Sequence, residues 1–183
     1  VEVNTVYTDP GATATDAEDG SVSVSNDAAS SVNMSLLGNY TVTYTATDSQ
    51  NNSTQATRTV SVEDRTPPSI TLSGAASINL LIGATYTEAG ATCTDNYDTA
   101  CSVLVGGDTV DTSTAGNYTV TYDVNDSSNN AATQVTRTVN VTAGNAPVIA
   151  LSGDNPYTVE VNTVYTDPGA TATDAEDGSV SVS

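Results

Sequence analysis

Apolar and polar residues alternate along much of this chain, most clearly in YTVTYTATD at positions 40–48. Successive side chains of a strand point to opposite faces, so Tyr40, Val42 and Tyr44 share one face and the intervening threonines share the other. The stretch YTVTYDVND at 118–126 has the same pattern. Val and Thr are β-branched and suit a half-buried pleated surface, so both stretches predict strands. No segment has the apolar period of a convincing amphipathic helix.

The same reasoning predicts about seven short strands for each structural repeat. The asparagine-rich segments SQNNS and SSNNAA predict hairpin turns between strands, because Asn tolerates a positive φ. Seven short strands in a small domain are typical of a two-sheet sandwich. For the first half of a repeat, the predicted strands cover 149–152, 157–161, 164–173 and 179–183. For the second half, they cover 31–35, 40–47 and 55–62.

The strand pattern recurs with a fixed period. Tyr7, Tyr86 and Tyr165 are evenly spaced in similar surroundings, and the stretch VEVNTVYTDPGATATDAEDGSVSVS stands at both 1–25 and 159–183. Two versions of the repeat alternate, which we name the first type and the cysteine type. A period of about 79 residues indicates a small domain rather than a solenoid turn. The predicted domains are 1–64, without its opening strand, then 65–143, then 144–183, the N-terminal half of a further first-type repeat.

The charge balance restricts the partners of the protein. The chain has 22 Asp and Glu against 3 Lys and Arg, for a net charge of −19. Such a surface repels nucleic acid and anionic membranes, and no apolar run approaches the ~18 residues of a membrane helix. We therefore expect neither nucleic-acid binding nor membrane insertion.

Composition also argues against catalysis. The chain has no histidine, so no Ser/His or Cys/His pair can form. Paired carboxylates could hydrolyse glycosides, but here they fall in repeated turns rather than in a cleft. We predict that the protein is not an enzyme and has no catalytic residues.

Three motifs and the repeat period resemble those of a known family; the motifs are VYTDPGATATDAEDG, GNYTVTYTATDSQNN and TRTVSVEDRTPPSITLSG. They are similar to the immunoglobulin-like repeats of bacterial surface proteins. That domain type also occurs in some pesticidal crystal proteins and is related in pattern to hyalin-repeat and cadherin-like modules. The resemblance implies an all-β fold of tandem immunoglobulin-like β-sandwich domains, about seven strands each, arranged end to end. It also implies an extracellular, cell-surface location.

Two functions agree with this resemblance. One is a structural repeat of a long bacterial or archaeal surface fibre or adhesin stalk, whose partners are neighbouring repeats and like chains in a fibre. The other is an accessory carbohydrate- or surface-binding module of a secreted enzyme. The stretch that recurs unchanged at 1–25 and 159–183 favours the stalk, because accessory modules usually come in a few divergent copies.

Acidic loops are the best candidate site, and Ca²⁺ is the expected ligand because it takes six to eight oxygen ligands. The loop TDAEDG and the turn DSQNN are expected to meet at one end of a sandwich, beside the preceding linker. The alternative is that these side chains only cap turns, and the second linker, VTAGNAP, has no carboxylate. The candidate ligands are Asp16, Glu18, Asp19, Asp48, Glu63, Asp64, Asp95, Asp98, Asp126, Asp174, Glu176 and Asp177.

Two cysteines bracket one of these loops, CTDNYDTAC at 93–101. Their spacing is not that of a C-x-x-C metal or redox motif. In an exported repeat protein, Cys93 and Cys101 are expected to form a disulfide. Two buried free thiols are the alternative.

Arginines and tyrosines are the remaining candidates. Arg58 and Arg137 occupy the same repeat position on the apolar face of a strand, and we predict the ion pairs Arg58–Asp9 and Arg137–Glu88. The second choices are Asp48 and Asp126, and the alternative is that both arginines reach solvent. The tyrosines at paired positions are expected in the core, with Tyr40 and Tyr118 as tyrosine corners, rather than on a sugar-binding surface.

Overall fold

Strands dominate the computed structural model, which describes residues 1–183, and the one helix has four residues. No helix is long and apolar enough to cross a membrane. In chain order the elements are β1 Ala14–Asp16, β2 Gly20–Val22, β3 Val24–Asn26, α1 Ala28–Ser31, β4 Gly38–Thr47, β5 Ser53–Val62, β6 Ser69–Leu72, β7 Ser77–Leu81, β8 Ala91–Thr94, β9 Leu104–Gly107, β10 Gly116–Asp123, β11 Val135–Thr142, β12 Val148–Leu151, β13 Ala170–Asp174 and β14 Gly178–Val180.

The first repeat has two antiparallel sheets, one of β1 and β2 and one in the order β3-β4-β5. Strands β4 and β5 pair along their full length. Val42 and Tyr44 of β4 and Val60 of β5 are buried with Ala28 of α1. The predicted alternation along β4 is confirmed, since its threonines are more exposed than the residues between them.

The cysteine-type repeat also has two sheets. Strands β6 and β8 pair antiparallel, and the other sheet has the order β7-β11-β10-β9, with β7 parallel to β11. Its apolar positions alternate like those of the first repeat. The buried side chains are Val120, Tyr122, Val124, Val139 and Val141, with Arg137 among them.

The third segment contains the sheet β12-β13-β14. The last three residues of β13 and the strand β14 have the same sequences as β1 and β2 and pair in the same register: Ala14 faces Val22, and Ala172 faces Val180. This hairpin of the repeated stretch therefore forms in both places, whereas Val3 is buried and its counterpart Val161 is exposed.

The chain divides into two compact units, each built from several stretches. The first unit comprises Val1–Gly74, Ala89–Gly106 and Thr121–Thr136, and the second comprises Ala75–Glu88, Gly107–Val120 and Arg137–Ser183. The acidic loops of the cysteine-type repeat thus belong to the same unit as the first repeat and the linker that follows it.

The complete cysteine-type repeat has six strands, one fewer than expected. The missing strand is the counterpart of the one predicted at 31–35 in the first repeat, where α1 and a turn stand instead. The strand predicted at 157–161 in the third segment does not form either. Short polar side chains bond locally there: the Asn26 Oδ1 atom accepts the Ala28 N–H at 3.1 Å, and the Asn33 Oδ1 atom accepts the Ser35 N–H at 3.0 Å. Such local bonds compete with strand pairing.

Two tyrosine corners close the repeats, as predicted. The Tyr40 hydroxyl donates to the Leu36 carbonyl at 2.8 Å, and the Tyr118 hydroxyl donates to the Thr114 carbonyl at 2.9 Å. The rings are thereby fixed at the start of β4 and β10.

Both predicted ion pairs are formed, with different burial. Arg137 is fully buried; its Nη1 atom donates to Glu88, and its Nε atom donates to the Ala75 carbonyl at 2.9 Å. The Tyr86 hydroxyl donates to the other oxygen of Glu88. A charge without solvent needs such acceptors, so these bonds determine where β11 lies against the segment before β8.

The Arg58 side chain is 36% exposed, and its Nη1 atom lies 3.3 Å from Asp9 Oδ2. The same carboxylate oxygen accepts the hydroxyls of Tyr44 at 2.6 Å and Tyr7 at 2.7 Å. Those hydroxyls, with the Gly11 N–H and the Arg58 charge, lower the pKa of Asp9 to about 2 against the effect of its burial.

Replacing Glu88 with Gln should cost about 3 kcal/mol of unfolding free energy, because it leaves the buried Arg137 guanidinium without a counter-charge. Urea unfolding of Glu88→Gln, Arg137→Met and the double variant gives the coupling energy. Glu63→Gln is the control, since its pair with Arg65 is exposed and should contribute at most about 1 kcal/mol. A coupling energy of zero between Arg137 and Glu88 would contradict the expectation.

Stability should also fall in strong acid. A carboxyl whose pKa is lowered on folding stabilises the protein above its unfolded pKa, and that stabilisation is lost as pH falls from about 4 through about 2. Urea midpoints of the wild type and of Asp9→Asn between pH 2 and pH 7 measure this. The variant should be less stable at pH 7 and change less below pH 4; parallel curves would exclude the contribution of Asp9.

Candidate functional site

Each acidic loop begins with an aspartate that caps its own turn. Asp16 Oδ1 accepts the backbone N–H groups of Glu18 and Asp19 at 2.8 and 3.0 Å. Asp95 and Asp174 make the equivalent bonds to the residues two and three positions later. These donors lower the pKa of Asp16, since they favour the charged form.

A second aspartate ties the acidic loop to the hairpin turn. Asp19 accepts the Ser49 N–H at 2.7 Å and the Ser49 hydroxyl at 2.9 Å, and Asp98 accepts the same two groups of Ser127 at 2.6 and 2.8 Å. The expected meeting of acidic loop and hairpin turn therefore occurs in both repeats. Asp16 and Asp48 also line one cavity of about 170 Å³.

The aspartate of each hairpin turn caps that turn. Asp48 accepts the backbone and side-chain N–H groups of Asn52, each at 2.7 Å, and Asp126 does the same for Asn130 at the same distances. Asn51 and Asn129 have φ values of 70° and 68°, the positive φ expected for Asn. Capping therefore uses Asp16, Asp19, Asp48 and their counterparts.

The linker after the first repeat differs from these turns. Asp64 is 6% exposed; its Oδ1 atom accepts the Thr66 N–H at 3.2 Å, and its Oδ2 atom is buried without a hydrogen-bond partner. The Oδ2 atom of Asp95 is also buried without a hydrogen-bond partner. Burial raises the pKa of Asp64, opposed by the Thr66 N–H and the Ser128 hydroxyl, and the charges of Asp126 and Asp95 raise it further.

The other predicted ligands lie elsewhere. Glu63, next to Asp64, turns to the surface and pairs with Arg65. Glu176 accepts the Asn145 side-chain N–H at 2.6 Å, and Glu18 and Asp177 are exposed. No group of three or more His, Cys, Asp or Glu side chains has the geometry to hold a metal ion as the side chains stand.

Four residues around this linker were not predicted from the sequence. Glu2 Oε1 accepts the Thr66 hydroxyl at 2.7 Å and the Asn96 side-chain N–H at 3.1 Å, and Asn4 donates to the Asn96 carbonyl at 2.9 Å. The bond from Thr66 is the main reason why the pKa of Glu2 is lowered. The only signal for Glu2 and Asn4 is that they occupy the polar positions of VEVN at 1–4. That alternation is the same as in any half-buried strand, so it did not distinguish them.

The two cysteines form a disulfide with their Cα atoms 6.0 Å apart. It closes the loop that contains Asp95 and Asp98. In the first type the matching positions are Ala14 and Val22, so the disulfide distinguishes the two repeat types.

The chain belongs to the family described as bacterial surface protein, Ig-like domain, whose model matches residues 1–62 and 70–141. The all-β architecture and the two tandem repeats agree with this membership. No curated protein matches the sequence.

Two solved structures are similar. One is the lipoprotein BT2262 from Bacteroides thetaiotaomicron, at 26% identity over 43% of this chain and 39% of that chain, with a TM-score of 0.36. The other is the fibronectin(III)-like modules of CbhA from Clostridium thermocellum, at 18% identity over 61% of this chain and 66% of that chain, also with a TM-score of 0.36. This chain thus spans less than two thirds of either protein.

Removing the disulfide should lower the unfolding free energy by about 2–3 kcal/mol, from the entropy of a short closed loop. The variant Cys93→Ala with Cys101→Val gives the cysteine-type repeat the residues of the first type, so cavities and buried polar groups are minimised. Urea unfolding of this variant and of the oxidised wild type measures the difference. Equal midpoints would show that the loop is held by its hydrogen bonds alone.

Proposed function

We propose that this chain is a structural segment of a surface-protein stalk, built from two alternating immunoglobulin-like repeats and without catalytic activity. The stalk is extracellular, and its partners are the neighbouring repeats and like chains. Bound Ca²⁺ is proposed to stiffen it. Membership in a bacterial surface family supports the location.

The observation that carries this proposal concerns the linker after the first repeat, which is hydrogen-bonded both to the first repeat and to the cysteine-type repeat. Within the first compact unit, the Val3 N–H donates to the Glu63 carbonyl at 2.9 Å, and Asn130 donates to the Asp64 carbonyl at 3.1 Å. Pro67 and Pro68 restrict the backbone that follows. A stalk needs such a junction, because a free linker would transmit neither bending nor orientation.

Side-chain bonds reinforce the junction. Glu2 and Asn4 of the first repeat meet Asn96 of the cysteine-type repeat, and Thr66 of the linker bonds to Glu2. These bonds connect three parts of the sequence that are far apart along the chain. The identical stretches at 1–25 and 159–183 agree with an array in which the same junctions recur.

We define a repeat pair as one first-type and one cysteine-type repeat. If the repeats form a stalk, an array of two repeat pairs should have about twice the maximum dimension of one repeat pair. Small-angle X-ray scattering of both arrays measures this, and the variant with Asn96→Ala and Asn130→Ala is the matched control. Removing the junction bonds should make the array more compact on average. An equal maximum dimension for one and two repeat pairs would contradict the stalk.

The accessory-module function makes a different prediction. A binding module should be retained by insoluble polysaccharides or by cell-wall preparations in a pull-down assay, whereas the stalk should pass through. Retention at low protein concentration would favour the accessory module.

A further inference from the structure

The linker carboxylate of Asp64 is unusual because folding buries it and leaves one of its two oxygens without a hydrogen-bond partner. It is 6% exposed, and Oδ2 has no hydrogen-bond partner. Burial of an ionised carboxylate is costly unless it is paired, hydrogen-bonded or bound to a metal. The aspartates of the capped turns differ, since Asp19, Asp48 and Asp98 have partners for both oxygens.

Like charges surround Asp64. Asp126 is 8% exposed, and Asp95 has its own buried oxygen without a partner. Asn130 brings Asp64 and Asp126 together, since its side-chain N–H groups donate to the Asp64 carbonyl at 3.1 Å and to Asp126 Oδ2 at 2.7 Å. The turn capped by Asp95 is tied to the same place, because its Asp98 accepts the N–H of Ser127, next to Asp126. The negative charges of Asp126 and Asp95 raise the pKa of Asp64. Three carboxylates in one poorly solvated place repel one another.

No basic side chain of this protein neutralises the group. The chain has three arginines and no lysine or histidine. Arg58 pairs with Asp9, Arg137 with Glu88 and Arg65 with Glu63. Neutralisation therefore requires a proton on one of the carboxyl groups or a cation from outside the chain.

The ligand atoms specify the class of cation. They are carboxylate oxygens, which suit Ca²⁺ and Mg²⁺, and both cysteines are in the disulfide. Ca²⁺ accepts six to eight oxygens in a flexible arrangement, whereas Mg²⁺ demands a near-ideal octahedron. As they stand, the three side chains do not enclose an ion, so the flexible ion fits better, and its binding includes closure of the side chains around it.

The second linker lacks this group. Ala143 stands where Asp64 stands in the first linker, and the nearby Asn145 bonds to Glu176 instead. Asp174, the counterpart of Asp95, is present here and caps its turn. The two linkers are therefore chemically different.

We propose that one Ca²⁺ binds between Asp64 and Asp95, beside Asp126, and that only the linker after a first-type repeat binds it. Ca²⁺-dependent and Ca²⁺-independent junctions then alternate along the array. This inference rests on the proposed stalk for its role, but the binding site stands on the three carboxylates. Water and backbone carbonyls supply the remaining ligands.

Calorimetric titration of the chelator-treated chain with CaCl₂ tests the stoichiometry. The expected result is about one ion per chain, with Mg²⁺ weaker, rather than one ion for each acidic loop. Melting with and without Ca²⁺ tests the linkage: saturating Ca²⁺ should raise the Tm by at least about 5 °C. Absence of binding at millimolar Ca²⁺, or two or more equivalent ions per chain, would overturn the proposal.

Asp64→Asn and Asp64→Ala identify the ligand, the second variant copying the natural Ala143. Both should abolish the Ca²⁺-dependent rise in Tm. In chelator, Asp64→Asn should melt at or above the wild type, because it removes a buried repelling charge. Glu63→Gln removes the same charge one residue earlier at the surface and should keep the Ca²⁺ response.

A Ca²⁺ response that survives Asp64→Asn, or one lost equally in Glu63→Gln, would overturn the site. So would an Asp64→Asn variant that melts well below the wild type in chelator. If Ca²⁺ does not bind at this site while the maximum dimension still grows in proportion to the number of repeat pairs, the proposed stalk is supported without the Ca²⁺ site. If Ca²⁺ binds but arrays do not lengthen, the site stands and the stalk fails.

Discussion

The buried guanidinium of Arg137 is the constraint on which the cysteine-type repeat depends. A charge that is fully removed from water is tolerated only where acceptors surround it. Here the acceptors come from Glu88 and from the Ala75 carbonyl, far from Arg137 in sequence. The segments before β7 and β8 and strand β11 must therefore come together in one arrangement, because any other would leave the charge unpaired.

A polar anchor of this kind suits a core made from small side chains. The chain has no Phe or Trp, and the buried apolar residues are mostly valines with two tyrosines. Such a core buries less apolar area per side chain than one with large aromatic rings. In the first repeat the corresponding anchor is looser: Arg58 is partly exposed, but it shares Asp9 with two tyrosine hydroxyls and donates to the Gly11 carbonyl at 3.0 Å.

Period-two alternation and strict repetition were enough to predict the strands of β4, β5, β10 and β11, the tyrosine corners and the partners of both core arginines. These features follow from which face a residue occupies and from its counterpart one repeat later. The segment at 31–35 could not be predicted in this way, since its outcome depends on local bonds from Asn26 and Asn33. The acidic loops were located correctly, but sequence alone could not separate satisfied carboxylates from unsatisfied ones. That distinction for Asp64 depends on burial by the neighbouring repeat, and Glu2 and Asn96 meet only through the tertiary fold.

The alternation of two repeat types also bears on how an array folds. Adjacent domains of identical sequence can exchange strands while they fold, and such misassembly is a characteristic failure of repeat proteins. Here a whole cysteine-type repeat separates the identical stretches at 1–25 and 159–183. Its disulfide closes a loop that the first type cannot form, and its Glu88 replaces the shorter Asp9 opposite the arginine. An exchange of strands between adjacent repeats would pair Arg58 with Glu88 or Arg137 with Asp9, and would lose the matched contacts that each arginine makes in its own repeat.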